Sequence, residues 1–196
     1  PEEVRNIIER IDLRAQTLSA RIKDILILGD LRSRADAEHQ PAPVDLAMLL
    51  GGVLEQLHER AEGRQVTIYT TIPELVVLGD REQLAMLFEN LISNAIAYSE
   101  EGASVEVSCA AGAEDIEVAV RDHGIGIRKD ALPHIFEEYY RTSEASRHNR
   151  LSTGLGLAIV REVADRFGLK ITVTSEVGEG TTFKLILPLH EQGSTQ

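Results

Sequence analysis

A single cysteine, Cys109, stands among 196 residues. One thiol cannot build an intramolecular disulfide framework, and it fits a reducing compartment. No stretch approaches the roughly 18 uninterrupted apolar residues of a membrane-spanning helix. Positive charge is scarce: 20 Lys and Arg face 32 Asp and Glu, a formal net charge of −12. Nucleic-acid phosphates reward clustered Lys and Arg, so this balance argues against a nucleic-acid partner while leaving room for a local basic pocket. Internal repeats, low-complexity tracts and a signal peptide are also missing. The chain enters helical sequence directly from Pro1 and reads as a piece of something longer. What is present is ordinary for a soluble globular protein, 43% hydrophobic and 27% charged. The length suffices for one domain with a real core plus an extension.

That extension comes first. Val4, Ile8, Ile11, Ala15, Leu18, Ile22 and Ile25 alternate steps of four and three, which aligns them on one seam of a helix over residues 1–34. Acids and bases fill the outer positions, and the seam predicts packing against a partner helix. Residues 35–43 carry two prolines among polar residues and read as a linker. A catalytic-sized domain over 44–190 follows, then a disordered tail at 191–196. Asp45 is placed to cap a helix whose Leu46, Leu49, Leu50, Val53, Leu54 and Leu57 make an apolar face. Val66–Ile72 alternates like a strand. Asp80 with Gln83 resembles a capping box opening a helix to about Ser99, with Leu84, Leu87, Phe88, Leu91, Ile92 and Ala95 inward. Residues 104–110 and 115–121 read as strands around Gly112, Leu155–Phe167 as a helix, and 170–174 and 181–187 as two more strands. Helices mixed with paired strands point to an α+β fold, a two-layer α/β sandwich with helices on one face of a mixed sheet, preceded by one long helix.

Four segments carry chemistry. Asn90 and Asn94 lie one turn apart, so their amides share a helix face. Asparagine lowers helix propensity, and amides on the inner side of an apolar helix need partners. A hydrated magnesium ion with a triphosphate supplies them, since a neutral oxygen suits a hard cation. Side-chain caps to neighbouring loops explain the pair equally well when it is taken alone. Asp122-His-Gly124-Ile-Gly126 follows a strand directly; its carboxylate can accept from an adenine amino group, while the glycines let backbone approach a flat base. For that motif alone, a simple strand-ending turn is the commoner explanation. Ser152-Thr-Gly154-Leu155-Gly156 opens a helix, where free N–H groups and the dipole favour phosphate. Between these loops, residues 142–151 show no apolar periodicity and read as a mobile lid.

Taken in order, these segments resemble the N, G1, F, G2 and G3 boxes of sensor histidine kinases in the GHKL ATPase superfamily. The boxes stand as Asn90-Leu-Ile-Ser-Asn94-Ala, Asp122-His-Gly-Ile-Gly126, Phe136-Glu-Glu-Tyr-Tyr-Arg141, Thr153-Gly-Leu-Gly-Leu-Ala-Ile-Val160 and Gly178-Glu-Gly-Thr-Thr-Phe183. The likeness covers residues 44–188 and implies a Bergerat ATP-binding fold, with the first helix as the second half of a dimerisation and phosphotransfer hairpin. It implies ATP and Mg2+ as ligands, with Asn94 as principal magnesium ligand and Asn90 beside it. By position, Tyr98 stacks near the adenine, Asp122 reads its amino group with Gly124 and Gly126 alongside, and Arg141 reaches the γ-phosphate. Gly154, Leu155 and Gly156 cradle phosphate, and Thr182 holds a water on the adenine side. Two positions depart from the family pattern: Ala97 stands where many members have Lys, and Ser152 where the G2 box usually begins with Gly.

A phosphoacceptor histidine followed by an acid is the part not found. Of six histidines, His58-Glu59 and His190-Glu191 have that neighbour; His58 lies inside the ATP-binding region and reads as a surface residue, and neither stands on the first helix. The resemblance therefore implies phosphoryl transfer from ATP to a histidine upstream of Pro1, then to a response-regulator aspartate. Partners implied are the upstream phosphotransfer helix and sensor region, a response regulator, and a second copy through the N-terminal helix. The implied location is cytoplasmic, including for a membrane-anchored parent. Three alternatives stay open. A gyrase-like or chaperone-like ATPase carries Glu at the position of Asn90, whose amide cannot act as a base. An anti-sigma-factor serine kinase shares the pocket, and a nucleotide-sensing module shares it without catalysis.

Overall fold

The computed structural model describes residues 2–33, 41–149 and 151–189. Most of the expected linker and the expected tail at 191–196 lie outside the described residues. The described residues form seven strands and five α-helices in the order α1 (Glu2–Ser33), β1 (Ala42–Asp45), α2 (Leu46–Gly63), β2 (Thr67–Thr71), β3 (Val76–Gly79), α3 (Arg81–Tyr98), β4 (Ser104–Ala111), β5 (Asp115–Asp122), α4 (Ser143–His148), α5 (Gly156–Arg166), β6 (Lys170–Glu176) and β7 (Gly180–Pro188), with a single 3-10 turn at Leu132–His134 before α4.

The sheet has order β2-β4-β5-β7-β6, with β2 parallel to β4 and every other pair antiparallel. Strict alternation on β4, β5 and β7 sends Val105, Val107, Ile116, Val118, Val120, Phe183, Leu185 and Leu187 to one face. On that face they meet Leu84, Leu87, Phe88, Leu91 and Ile92 of α3 together with Ile159, Val160 and Val163 of α5. The result is the expected two-layer sandwich, its opposite face polar. Both capping expectations hold. Asp45 accepts from the Met48 N–H at 2.9 Å, and Asp80 accepts from Glu82 and Gln83 N–H at 2.9 and 3.1 Å. Gln83 completes the second cap through its side chain, donating to Asp80 Oδ2 at 3.3 Å.

Two departures concern segments read as irregular. Ala42 and Pro43, placed in the linker, belong instead to β1, which pairs antiparallel with β3. Residues 143–148, read as lid without structure, form α4; Thr142 caps it by accepting from the Ala145 N–H at 3.1 Å. A helix this short carries no apolar stripe, so periodicity could not reveal it.

Helix α1 divides by partner. Val4, Ile8, Ile11, Leu18, Ile22 and Ile25 of the seam are all 49–61% exposed, whereas Leu28 and Leu31 are buried in the domain core. Polar contacts fix that end: Arg32 bonds Glu138 at 2.6 Å and Glu162 at 3.1 Å, and Thr153 Oγ1 donates to Asp24 Oδ2 at 2.6 Å. Among the described residues, no helix is long and apolar enough to cross a membrane.

Candidate functional site

A cleft of about 780 Å³, partly open to solvent, lies between α3, the ends of β5 and β7, and the loops leading into α4 and α5. Its wall is mostly apolar with a few convergent polar groups, the pattern of small-molecule sites. Asn94, Tyr98, Asp122, Gly126, Arg141, Gly154 and Gly156 all line it. These seven come from four separate segments of sequence, brought together by the sheet and by the packing of α3 on α5.

On α3, apolar residues hold one side against the sheet and turn the amides toward the start of α5. Asn90 Nδ2 donates to Met86 O at 2.8 Å, which leaves Oδ1 facing Gly156; a Cβ on Gly156 would stand 2.7 Å from that oxygen. A side chain at 156 would thus have to displace the Asn90 amide. Asn90 itself stands behind Gly156 rather than in the cleft wall. The first turn of α5 has no side-chain cap, so its N–H groups open toward the cleft.

Asp122 ends β5, only 5% exposed as a residue, and its Oδ1 accepts from the Thr181 N–H at 3.2 Å. Burial pushes its pKa from 3.8 up to about 6, while the Thr181 and Gly124 N–H groups and the neighbouring His123 pull it partly back. A buried acceptor of this kind in a cleft wall suits a ligand that donates an N–H. Tyr98 contributes a ring to the same wall, with the His148 ring 6.1 Å away.

The glycines of the 122–126 turn serve backbone packing. A Cβ on Gly124 would fall 1.9 Å from Tyr98 O, where the turn bridges to the end of α3. Gly126 adopts φ +65°, open to glycine at no steric cost, and passes equally close to Glu176 O. Gly124 therefore ties the turn to α3 and does not line the cleft, whereas Gly126 packs against Glu176 at the end of β6 and lines the cleft.

Arg141 lines the cleft, but its Nη2 donates to the carbonyls of Ala145 at 3.3 Å and of Asn149, and its Nε is buried without a partner. It holds α4 in this structure rather than projecting freely.

Two expected residues are placed elsewhere. Leu155 is fully buried in the core, and its N–H donates to Thr153 Oγ1 at 3.2 Å. Its spacing of four from Ile159 already put it on the core face of α5. Thr182 lies on the polar face of β7, paired with Arg121 and Thr174. Thr181 is the cleft residue, 6% exposed and bonded to Ser175 Oγ at 2.9 Å. Counting back by twos from Phe183 finds it. His58 is a surface residue as expected, 3.2 Å from Glu62. Ala97 is buried at 4% exposure and outside the cleft wall; Ser152 is part of that wall.

Known proteins resemble this chain in sequence and in fold. A model of the family described as histidine kinase-, DNA gyrase B-, and HSP90-like ATPase matches residues 79–191. The sensor-like histidine kinase SenX3 of Mycolicibacterium smegmatis is 36% identical over 191 residues, 96% of this chain and 49% of its own length. The sensor histidine kinase AtsR of Burkholderia thailandensis is 33% identical over 192 residues, 95% of this chain and 32% of its own length. The chain thus spans about half or less of these relatives. Among solved structures, full-length ShkA in complex with AMPPNP superposes with a TM-score of 0.76 at 27% identity, covering 95% of this chain and 39% of ShkA. The mycobacterial sensor histidine kinase MprB superposes at 0.67 and 26% identity, covering 76% of this chain and 98% of that structure. The chain belongs to the histidine kinase-, DNA gyrase B-, and HSP90-like ATPase family, and within it to the catalytic domains of sensor histidine kinases.

Proposed function

We propose that the cleft binds ATP with magnesium and presents its γ-phosphate to a histidine carried upstream in the parent protein, for onward transfer to a response-regulator aspartate in the cytoplasm. The observation that carries this reading is the buried Asp122 facing the same cleft as Asn94 and the uncapped start of α5. Asp122 offers an acceptor for the adenine amino group beside Tyr98, and the α5 N–H groups offer a phosphate cradle.

Magnesium fits the donor set. Among the described residues no cluster of three or more His, Cys, Asp or Glu forms a protein cage. A magnesium ion that keeps its waters and phosphate oxygens needs only one or two neutral protein ligands; Asn94 in the cleft wall would be the first, and Asn90, behind Gly156, would join it only by turning its Oδ1 away from that glycine. The ion's chemistry there is charge neutralisation on the phosphates. Transfer then depends on positioning and on Arg141, whose contact with the γ-phosphate requires exchange of its carbonyl partners. Asn90 offers no base to activate water, so slow hydrolysis is expected. The exposed seam of α1 supports pairing with the missing hairpin helix and with a second copy. Calorimetry tests the first step: ATP binding should require magnesium and weaken in Asn94→Ala, and binding indifferent to both would remove the assignment.

A further inference from the structure

This inference rests on the ATP reading. Of the described residues lining the cleft, Arg141 is the one cation, and it is engaged with the carbonyls of Ala145 and Asn149. A triphosphate stays negative after a divalent ion binds, so the wall as it stands is short of positive charge. Two more guanidinium groups lie directly behind it. Arg60 and Arg64 are one turn apart on α2 and share a face. Arg60 Nη1 donates to Ser93 Oγ at 2.5 Å, beside Asn94 in the chain. Arg64 Nη2 donates to Ser99 O at 2.9 Å and lies 3.1 Å from His148 Nε2, whose ring neighbours the cleft residue Tyr98.

Among the described residues neither arginine is in a salt bridge, and Arg64 Nε is buried with no partner. Burial, and then the charge of Arg64, pull the Arg60 pKa below its ordinary value, with Glu89 working the other way. A cation at the C-terminal end of α3 is favourable by itself, and the Ser99 bond is that interaction. It accounts for one arginine. It does not account for a second like charge beside it, nor for a buried donor left open.

We propose that Arg60 and Arg64 form a second cationic wall for the phosphate chain of the nucleotide, with Arg64 exchanging His148 for a phosphate oxygen. The test uses the full chain: ATP–magnesium by calorimetry and adenosine by NMR titration, on wild type, Arg60→Gln, Arg64→Gln, Arg60→Lys and Asn94→Ala, each checked by thermal unfolding. Arg60→Gln and Arg64→Gln should each weaken ATP about tenfold and leave adenosine unchanged, while Arg60→Lys keeps most of the affinity. Arg60→Gln removes no bond to backbone, so it carries the test if Arg64→Gln does not fold. Unchanged ATP affinity, or equal losses for ATP and adenosine, overturns the assignment. If ATP binding responds to Asn94→Ala but not to the arginines, only this inference falls; a wild-type chain that binds no ATP overturns the nucleotide reading with it.

Discussion

Asp122→Asn should stabilise the fold while impairing base recognition, and the size of the gain should depend on pH. The carboxyl titrates near 6 in the folded chain against 3.8 ordinarily, because burial disfavours its charge. The folded state therefore holds this proton more tightly than the unfolded chain does. The stability so contributed is complete below pH ~4 and is lost as pH rises through about 6. At ~1.36 kcal/mol per pH unit, the ionised group at pH 8 costs ~3 kcal/mol relative to a neutral one in the same place. Asparagine can still accept from the Thr181 N–H, so that bond survives. The variant should match wild type near pH 4 and exceed it at pH 8 by up to ~3 kcal/mol, or roughly 6–12 °C in Tm for a chain of this size. An unpaired amide N–H would trim the gain by ~1 kcal/mol. Thermal unfolding at the two pH values reads the stability, and calorimetry with ATP and GTP reads the loss of adenine preference. A gap that does not change with pH, or a variant less stable at pH 8, would refute the buried-charge argument; intact discrimination would remove Asp122 from base reading.

Strand alternation makes a sharper distinction. Thr181→Val, on the cleft face, should weaken ATP about fivefold by losing a hydroxyl worth ~1 kcal/mol, whereas Thr182→Val should leave binding within about twofold; equal effects in titration would undo the placement. Gly124→Ala would drive a Cβ into the Tyr98 carbonyl, so a loss of more than ~2 kcal/mol is expected from urea unfolding. A variant as stable as wild type would show that the turn is free to move away from α3.

Much of the site was legible because its residues sit on long periodic elements. The 3.6-residue period of α3 fixes which side of the helix holds Asn90 and Asn94, and alternation on β5 carries Asp122 to the core face. The same rules, applied to β7 and α5, contained the signals for Thr181 and Leu155. Contacts across long separations left no such trace. Gly124 looks like a ligand-facing glycine in sequence, and only the packed turn shows that Tyr98 O excludes a side chain there. The four-residue strands β1 and β3 are too short for alternation to mark. Helix α4 is held by Thr142 and by the Arg141 guanidinium, neither of which has a periodic signature. The division of α1 into an exposed seam and a docked end depends on Leu28, Leu31 and Arg32 meeting residues more than a hundred positions away.

Phosphotransfer in trans is the most direct measurement of the central claim. The chain is mixed with a hairpin bearing the parent's own upstream histidine, with magnesium and γ-labelled ATP. Label should accumulate on that histidine, and the isolated chain should stay unlabelled. Arg141→Ala should slow transfer more than it weakens ATP, as expected of a contact that strengthens while charge develops on the moving phosphoryl group. Acid-labile label on the isolated chain, at His58 or at any other of its residues, would contradict the account.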